Sequence, residues 1–400
     1  MTWVWATILV MPLLAIGVDW VAQLRVSLRS LRRRPAGLVS LIPVDGRLLE
    51  TDFTLVVPIY GSIRYLENVE WLDQYRSHVL FVTTGSETDA FYEDLYAVAD
   101  DHGFRVFVGG EALNQEPAGK RETGGTKRDT IVRQAHQVID TEYVVCIDAD
   151  TTTEKPVDQL VGAFAASNID LGSVPLTVAN RTSVLGRLQA IEYAMAMRLR
   201  RIMPWLISGG CHVARREHHA RLMNQHSLFF QGNDVELGLL AIENGMRVGH
   251  LDFEVPTNVP DTVRGWWRQR LAWSGGEFRI NVVNIRLAAR HPFLFFYGLV
   301  VVLLLTPVRW LSIATSGWIL VAVYAVYVLA VYAVTRALRE PLVLLYPLYA
   351  LVYTVVLLPL GGMSYAGQAI RSRNAGVIGR RGRRAVPGTA HRAELAAHAA

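Results

Sequence analysis

Between Thr51 and Asn180 short apolar runs alternate with longer stretches of helical periodicity, and few architectures accommodate that alternation. The runs 53–60, 79–83, 105–108, 142–147 and 170–177 have the length and the Val/Ile/Phe content of strands, and 65–75, 89–101, 127–139 and 157–167 read as helices. A strand covered on both faces is apolar at every position, so the pattern predicts an α/β domain with a Rossmann-like, mostly parallel sheet and helices on both faces. Such sheets bind ligands in the crevice outside the carboxyl ends of their strands. Pro58-Ile59-Tyr60-Gly61, Thr84-Gly85-Ser86 and Asp148-Ala149-Asp150 all fall there.

Asp148 and Asp150 lie one residue apart at the end of an apolar run. Extended backbone sends both carboxylates to one face, where they repel unless a cation such as Mg²⁺ or Mn²⁺ lies between them. That arrangement suits a metal and a diphosphate. A solvated acidic turn leaves the same short pattern, so the pair needs its context.

Apolar residues make up 51% of the chain, and the excess is concentrated at its two ends. Residues 3–20 form an apolar segment followed by Arg25, Arg29, Arg32, Arg33 and Arg34, the reverse of a cleavable leader. This predicts an anchor over 1–24 with its amino end outside, then a basic cytoplasmic linker over 25–50. Residues 51–281 form the expected cytoplasmic catalytic domain. In the membrane region expected over 282–362, 292–309 is interfacial or spanning, while 310–334 and 342–360 cross. The tail 363–400 carries an Arg cluster and no packed pattern, which predicts disorder. The expected location is therefore the cell membrane, with several crossings. Net charge is +5, much of it beside these segments, which points to lipid headgroups and away from nucleic acid. Two cysteines, Cys146 and Cys211, supply no disulfide framework. His212, His218 and His219 read as polar or surface residues without metal-ligand spacing.

Four motifs, in order, complete the reading: Val56-Val57-Pro58-Ile59-Tyr60-Gly61, Asp148-Ala149-Asp150, Gly232-Asn233-Asp234-Val235-Glu236-Leu237 and Arg268-Gln269-Arg270-Leu271-Ala272-Trp273. Together they resemble the inverting family 2 glycosyltransferases of GT-A fold, in the membrane-embedded branch that includes hyaluronan, chitin and cellulose synthases. The resemblance covers 51–281 and the membrane flanks. It implies a nucleotide-sugar donor, a UDP-sugar by expectation, a Mg²⁺ or Mn²⁺ cofactor, and a glycan or lipid acceptor.

By that resemblance Asp234 is the catalytic base, although the same Asp opens a helical stretch and also reads as its cap. Asp150 and Asp148 hold the metal. Pro58, Tyr60, Thr84, Lys127, Arg128, Asp148, Gln269 and Arg270 bind the nucleotide-sugar and its diphosphate, and Ser208, Gly209, Gly210 and Trp273 face the acceptor. Trp266 and Trp267 add aromatic surface or anchor the chain at a membrane interface. The chain departs from the family pattern in three places. Asn233 replaces a Glu, Ala272 replaces an Arg, and the second strand ends in Thr83-Thr84 without the usual Asp pair, which leaves the base of the nucleotide open. Apolar positions over 185–202 recur at helical spacing, fitting either a membrane surface or the catalytic domain. A processive polysaccharide synthase is the leading expectation. Transfer of one sugar to a lipid is the runner-up, and a catalytically silent glycan-binding subunit is the alternative from another class.

Overall fold

The computed structural model describes residues 38–44, 52–110, 124–226, 231–283 and 317–372. The expected anchor 1–24, most of the linker 25–50, the segment 292–309, the start of the span at 310 and most of the tail lie outside the described residues.

Among the described residues ten strands form: β1 (Leu38–Ile42), β2 (Phe53–Pro58), β3 (Val79–Thr84), β4 (Arg105–Gly109), β5 (Tyr143–Ile147), β6 (Leu171–Ser173), β7 (Leu176–Val178), β8 (Cys211–Arg215), β9 (Val248–Leu251) and β10 (Val255–Thr257). Eight of them make one sheet in the order β1-β9-β6-β8-β5-β2-β3-β4, and β7 pairs with β10 in a small second sheet. All pairs in the large sheet are parallel except those of β8, which runs antiparallel to both β5 and β6.

Period-two alternation explains why the central strands are apolar throughout. Phe53, Leu55 and Val57 of β2 and Tyr143, Val145 and Ile147 of β5 enter one core. Helices α1 (Asp89–His102) and α3 (Val157–Ala166) cover it with Phe91, Leu95, Leu160 and Phe164. Val56 of β2 and Val144 and Cys146 of β5 point the other way. That second core is closed by α2 (Gly124–Ala135), α5 (Arg216–Gln225) and α6 (Asn233–Glu243) through Ile131, Leu222 and Leu237. The result is the expected three-layer α/β domain.

Two expected elements break up. The helix expected over 65–75 is reduced to the short turns Ile63–Tyr65 and Val69–Leu72, because the buried Asn68 side chain donates to the carbonyls of Asp148 and Thr151, at 3.2 and 2.6 Å, and Glu67 N donates to Ala149 O. The strand expected over 170–177 divides into β6 and β7 at Val174-Pro175, since proline has no N–H for the ladder.

Beyond the sheet, α4 (Val184–Ile202) and α7 (Val263–Val283) join the domain to α8 (Gly317–Thr335), α9 (Tyr346–Val352) and α10 (Leu358–Ser372). A π-helical turn, Tyr353–Leu357, makes α9 and α10 one continuous helical run. Its segment Tyr346–Ile370 is the one helix among the described residues long and apolar enough to cross a membrane. The segment expected over 342–360 overlaps this run from Tyr346 onward. Gly361 and Gly362, just past its end, are helical contact residues: a Cβ at Gly361 would meet Ser274 Cβ at 2.5 Å, and one at Gly362 would meet the Phe278 ring at 2.8 Å. Apolar Ile191 of α4 packs with Val331, Val343 and Tyr346, so that stripe faces the C-terminal helices.

Candidate active site

The sheet order reverses between β2 and β5, since β3 and β4 follow β2 on one side and β5 lies on the other. A crevice opens outside the strand ends at such a point. Pro58 ends β2 and Asp148 follows β5, so both border it. Because β8 is antiparallel, its beginning reaches the same edge: Cys211 pairs with Ile147, and Asp148 N donates to Gly210 O at 3.0 Å. The glycine turn before β8 thereby lies beside the acidic pair.

Asp234 approaches from α6. That helix is capped by Gly232 with φ +87, a conformation that favours glycine, so Asp234 sits in the first turn and the expected capping role falls to its neighbour. A Cβ at Gly209 would lie 3.2 Å from Asp234 Oδ2, and one at Gly210 would lie 3.7 Å from Asp148 Oδ2. The two glycines are the thin wall between the carboxylates. Arg128 closes the group, its Nη2 donating to Gly209 O at 2.7 Å and pairing with Asp148 Oδ1 at 2.8 Å.

Electrostatics follow from this crowding. The Asp148 side chain keeps 39% of its surface open to the crevice, yet loss of water raises its pKa, with Arg128 opposing and Asp234 adding to the rise. Burial, then the charge of Asp148, pushes Asp150 up to about 6, and Thr151 Oγ1 donates to it at 3.1 Å. A carboxylate pair with too little positive charge of its own fits a hard divalent cation held through oxygen.

On the β2–β3 side, Tyr60 is pushed up to about 12 by burial and feels the charges of Arg128 and Asp148. Glu87 occupies the strand-end position that lacks the usual Asp pair. It accepts from Thr84 Oγ1 at 2.9 Å and Gly61 N at 2.9 Å, and Lys127 Nζ approaches to 3.7 Å. Tyr60, Thr84, Lys127, Arg128, Asp148 and Asp150 are therefore gathered at one crevice, with Asp234 across the glycine turn.

Other expected contacts are placed differently. Ser208 is fully buried, its hydroxyl donating to Val174 O and its N–H bound to Ser173 Oγ, and Gly210 is buried beside it, which leaves Gly209 as the partly exposed residue of the turn. Arg270 is also fully buried. Its Nε and Nη2 bind Glu192 of α4 at 3.0 and 2.7 Å, Nη1 donates to Gln269, and the guanidinium stacks 4.2 Å over Trp273. Arg270 thus braces α7 against α4, with Gln269 of the same helix accepting from it, and a diphosphate contact by Arg270 requires its pair with Glu192 to open. Trp273 lies 6.4 Å from the Tyr193 ring. Trp266 is buried and donates to Tyr349 OH at 2.7 Å.

Several supporting residues escape motif reading. Arg279 and Glu236 form a fully buried ion pair, and Arg279 also donates to Gln231 O and Asn233 Oδ1 at 3.1 and 3.2 Å. His226 donates to Asn233 O at 2.8 Å if its Nε2 carries the proton. This cluster fixes the start of α6 and hence Asp234. It also accounts for Asn233, since a Glu there would place a second carboxylate beside Glu236. Glu192 had a visible signal: it is the lone acid in an Arg-bearing helix. The histidine expectation is corrected as well. His212 and His219 are 7% and 1% exposed and face each other at 3.2 Å, and only His218 reaches part of the surface.

The fold and this site define a GT-A type α/β domain. The chain belongs to glycosyl transferase family group 2, whose sequence model matches residues 143–361. It is similar to poly-beta-1,6-N-acetyl-D-glucosamine synthases of Staphylococcus epidermidis and Staphylococcus aureus (strain COL), each 25% identical over 236 residues, covering 54% of this chain and 51% of the relative. The chain spans about half the length of these curated relatives. A mannosyltransferase from Pyrobaculum calidifontis, solved with GDP-Man and Mn²⁺, shares the fold with a TM-score of 0.51 at 16% identity, covering 92% of this chain and 100% of that one.

Proposed function

We propose that the protein is an inverting, divalent-metal-dependent glycosyltransferase that takes a nucleotide-sugar donor and works at a membrane surface. The convergence of Asp148 and Asp150 with Asp234 across the Gly209–Gly210 turn carries this reading. Inversion requires attack on the anomeric carbon from the face opposite the leaving diphosphate, so base and diphosphate site must stand on two sides of one sugar-sized gap. The glycine wall supports that spacing.

In the proposed reaction Asp234 accepts the proton of the acceptor hydroxyl as its oxygen bonds to the anomeric carbon and the bond to the diphosphate breaks. Asp148 and Asp150 would hold Mg²⁺ or Mn²⁺, which neutralises charge developing on the leaving group. Arg128 and Lys127 add positive charge on the diphosphate side. Tyr60, Thr84 and the Glu87 carboxylate border the nucleoside, for which a UDP-sugar is the expected donor. Gly209, Gly210 and Trp273 face the acceptor, where a glycan end stacks on the indole.

The synthase names of the relatives and the apolar helix Tyr346–Ile370 support a polymer-forming enzyme over a single addition. The proposed frame is a cytoplasmic domain over 51–281 held by membrane segments on both sides. A screen of nucleotide-sugars with Mn²⁺, following release of nucleoside diphosphate and product length, tests both levels. One donor should give release and long polymer, and Asp234→Asn should lower the rate by roughly 10²–10⁴-fold. Short lipid-linked products would replace the polymer reading, and full activity in Asp234→Asn would remove the enzyme reading.

A further inference from the structure

Two residues before Asp148 on β5, Cys146 meets His212 of β8 and His219 of α5, and the three bring their ligand atoms within 4.8 Å of one another, all buried. We propose that Cys146 Sγ, His212 Nε2 and His219 Nε2 bind one zinc ion, at a site distinct from the carboxylates. In a tetrahedral site with Zn–N about 2.0–2.1 Å and Zn–S about 2.3 Å, neighbouring nitrogens stand about 3.3 Å apart and nitrogen and sulfur about 3.6 Å. The two Nε2 atoms are 3.2 Å apart, and Cys146 Sγ lies 3.9 Å from His219 Nε2. One ion fits between the three.

The surroundings agree with that assignment. His136 Nε2 lies 2.8 Å from His219 Nδ1; with the proton on His219 Nδ1 this contact holds the imidazole with Nε2 free for the ion. A cavity bordered by these residues extends to Arg128, Asp129 and Asp234, giving room for a water as fourth ligand, and the two carboxylates offset the charge of the guanidinium there. Asp129 Oδ2, buried on that cavity, makes no hydrogen bond among the described residues.

Donor chemistry separates this site from the other. A thiolate and two imidazoles select zinc, whereas carboxylate oxygens select Mg²⁺ or Mn²⁺. Binding releases the Cys146 proton to solvent, and the ion ties together β5, β8 and α5. Asp148 and the glycine turn are attached to the first two of these elements, so the zinc would clamp the register on which the crevice depends.

The test is independent of sugar transfer. Full-length protein in detergent, stripped with a chelator, is titrated with Co²⁺. About one ion per chain should bind and give a thiolate-to-cobalt charge-transfer band, displaced by Zn²⁺ and unaffected by excess Mn²⁺. Cys146→Ser should abolish the band, Cys211→Ser and Asp150→Asn should keep it, and His136→Ala should weaken Co²⁺ binding roughly 10- to 100-fold. Folded wild-type protein that binds Co²⁺ without the band, or a band that survives Cys146→Ser, overturns the proposal.

Discussion

Asp150, a proposed metal ligand, would make metal binding a function of pH. Its carboxyl is lifted from 3.8 to about 6 by burial and by Asp148, so in metal-free protein the folded state holds its proton longer than the unfolded chain does. Stability from this group is complete below pH 3.8 and declines as pH rises towards about 6, where the folded carboxyl ionises. Mn²⁺ reverses the sign by favouring the ionised form. Denaturant melts at graded pH should therefore show Mn²⁺ stabilisation growing from pH 4 to 7, and Asp150→Asn should flatten both trends. Carboxylates of this kind were legible in the sequence because they interrupt apolar runs at strand ends. Arg270 was less so, since its motif position says nothing of Glu192, which lies on another helix. Arg270→Lys keeps the charge and loses the paired contacts with Glu192, so it should unfold at lower denaturant than wild type and lose transfer activity even with saturating donor.

The start of α6 depends on one buried cluster. Glu236 and Arg279 are both fully buried, and removing one partner strands the other charge. Glu236→Ala should cost about 3–5 kcal/mol in chemical denaturation, whereas Glu236→Gln with Arg279→Met should recover much of that loss. Gly238 in the same helix is pressed against Trp205, where an added Cβ would fall 1.9 Å from the carbonyl oxygen, so Gly238→Ala should force the helix away and lower the melting temperature. The helix itself could be read from its apolar spacing, as could β2, β3 and β5. Its cluster could not, because Gln231, Glu236 and Arg279 meet only through the packing of α7. The break in the helix expected over 65–75 has a similar origin: nothing local marks Asn68 as a ligand of carbonyls 80 residues away.

At the scale of the whole molecule, catalytic domain and apolar helices share contacts that neither could supply alone. Arg187 of α4 forms a two-pronged pair with Glu340, at 3.0 and 2.8 Å, and Tyr349 donates to the Glu192 carboxylate that holds Arg270. A chain ending after α7 should therefore aggregate on expression, measured as loss of the monodisperse fraction, because Ile191 and the small-residue face of α7 would be bare. The division into a central α/β region and apolar ends was legible from composition, while the seam between them was hidden, because nothing local shows which helix Gly361 and Gly362 meet. That seam has a mechanical meaning. Gly361 lies against Ser274 and Gly275, one residue past Trp273, with no side chain between the helices to absorb relative movement. Helices tilt when bilayer thickness departs from their apolar length, so on the proposed membrane reading a tilt of α10 would pass into the helix that carries Trp273, the proposed acceptor platform. Lipid acyl length then becomes a setting of the enzyme, and transfer rates in vesicles of graded thickness should pass through an optimum that Gly361→Leu abolishes.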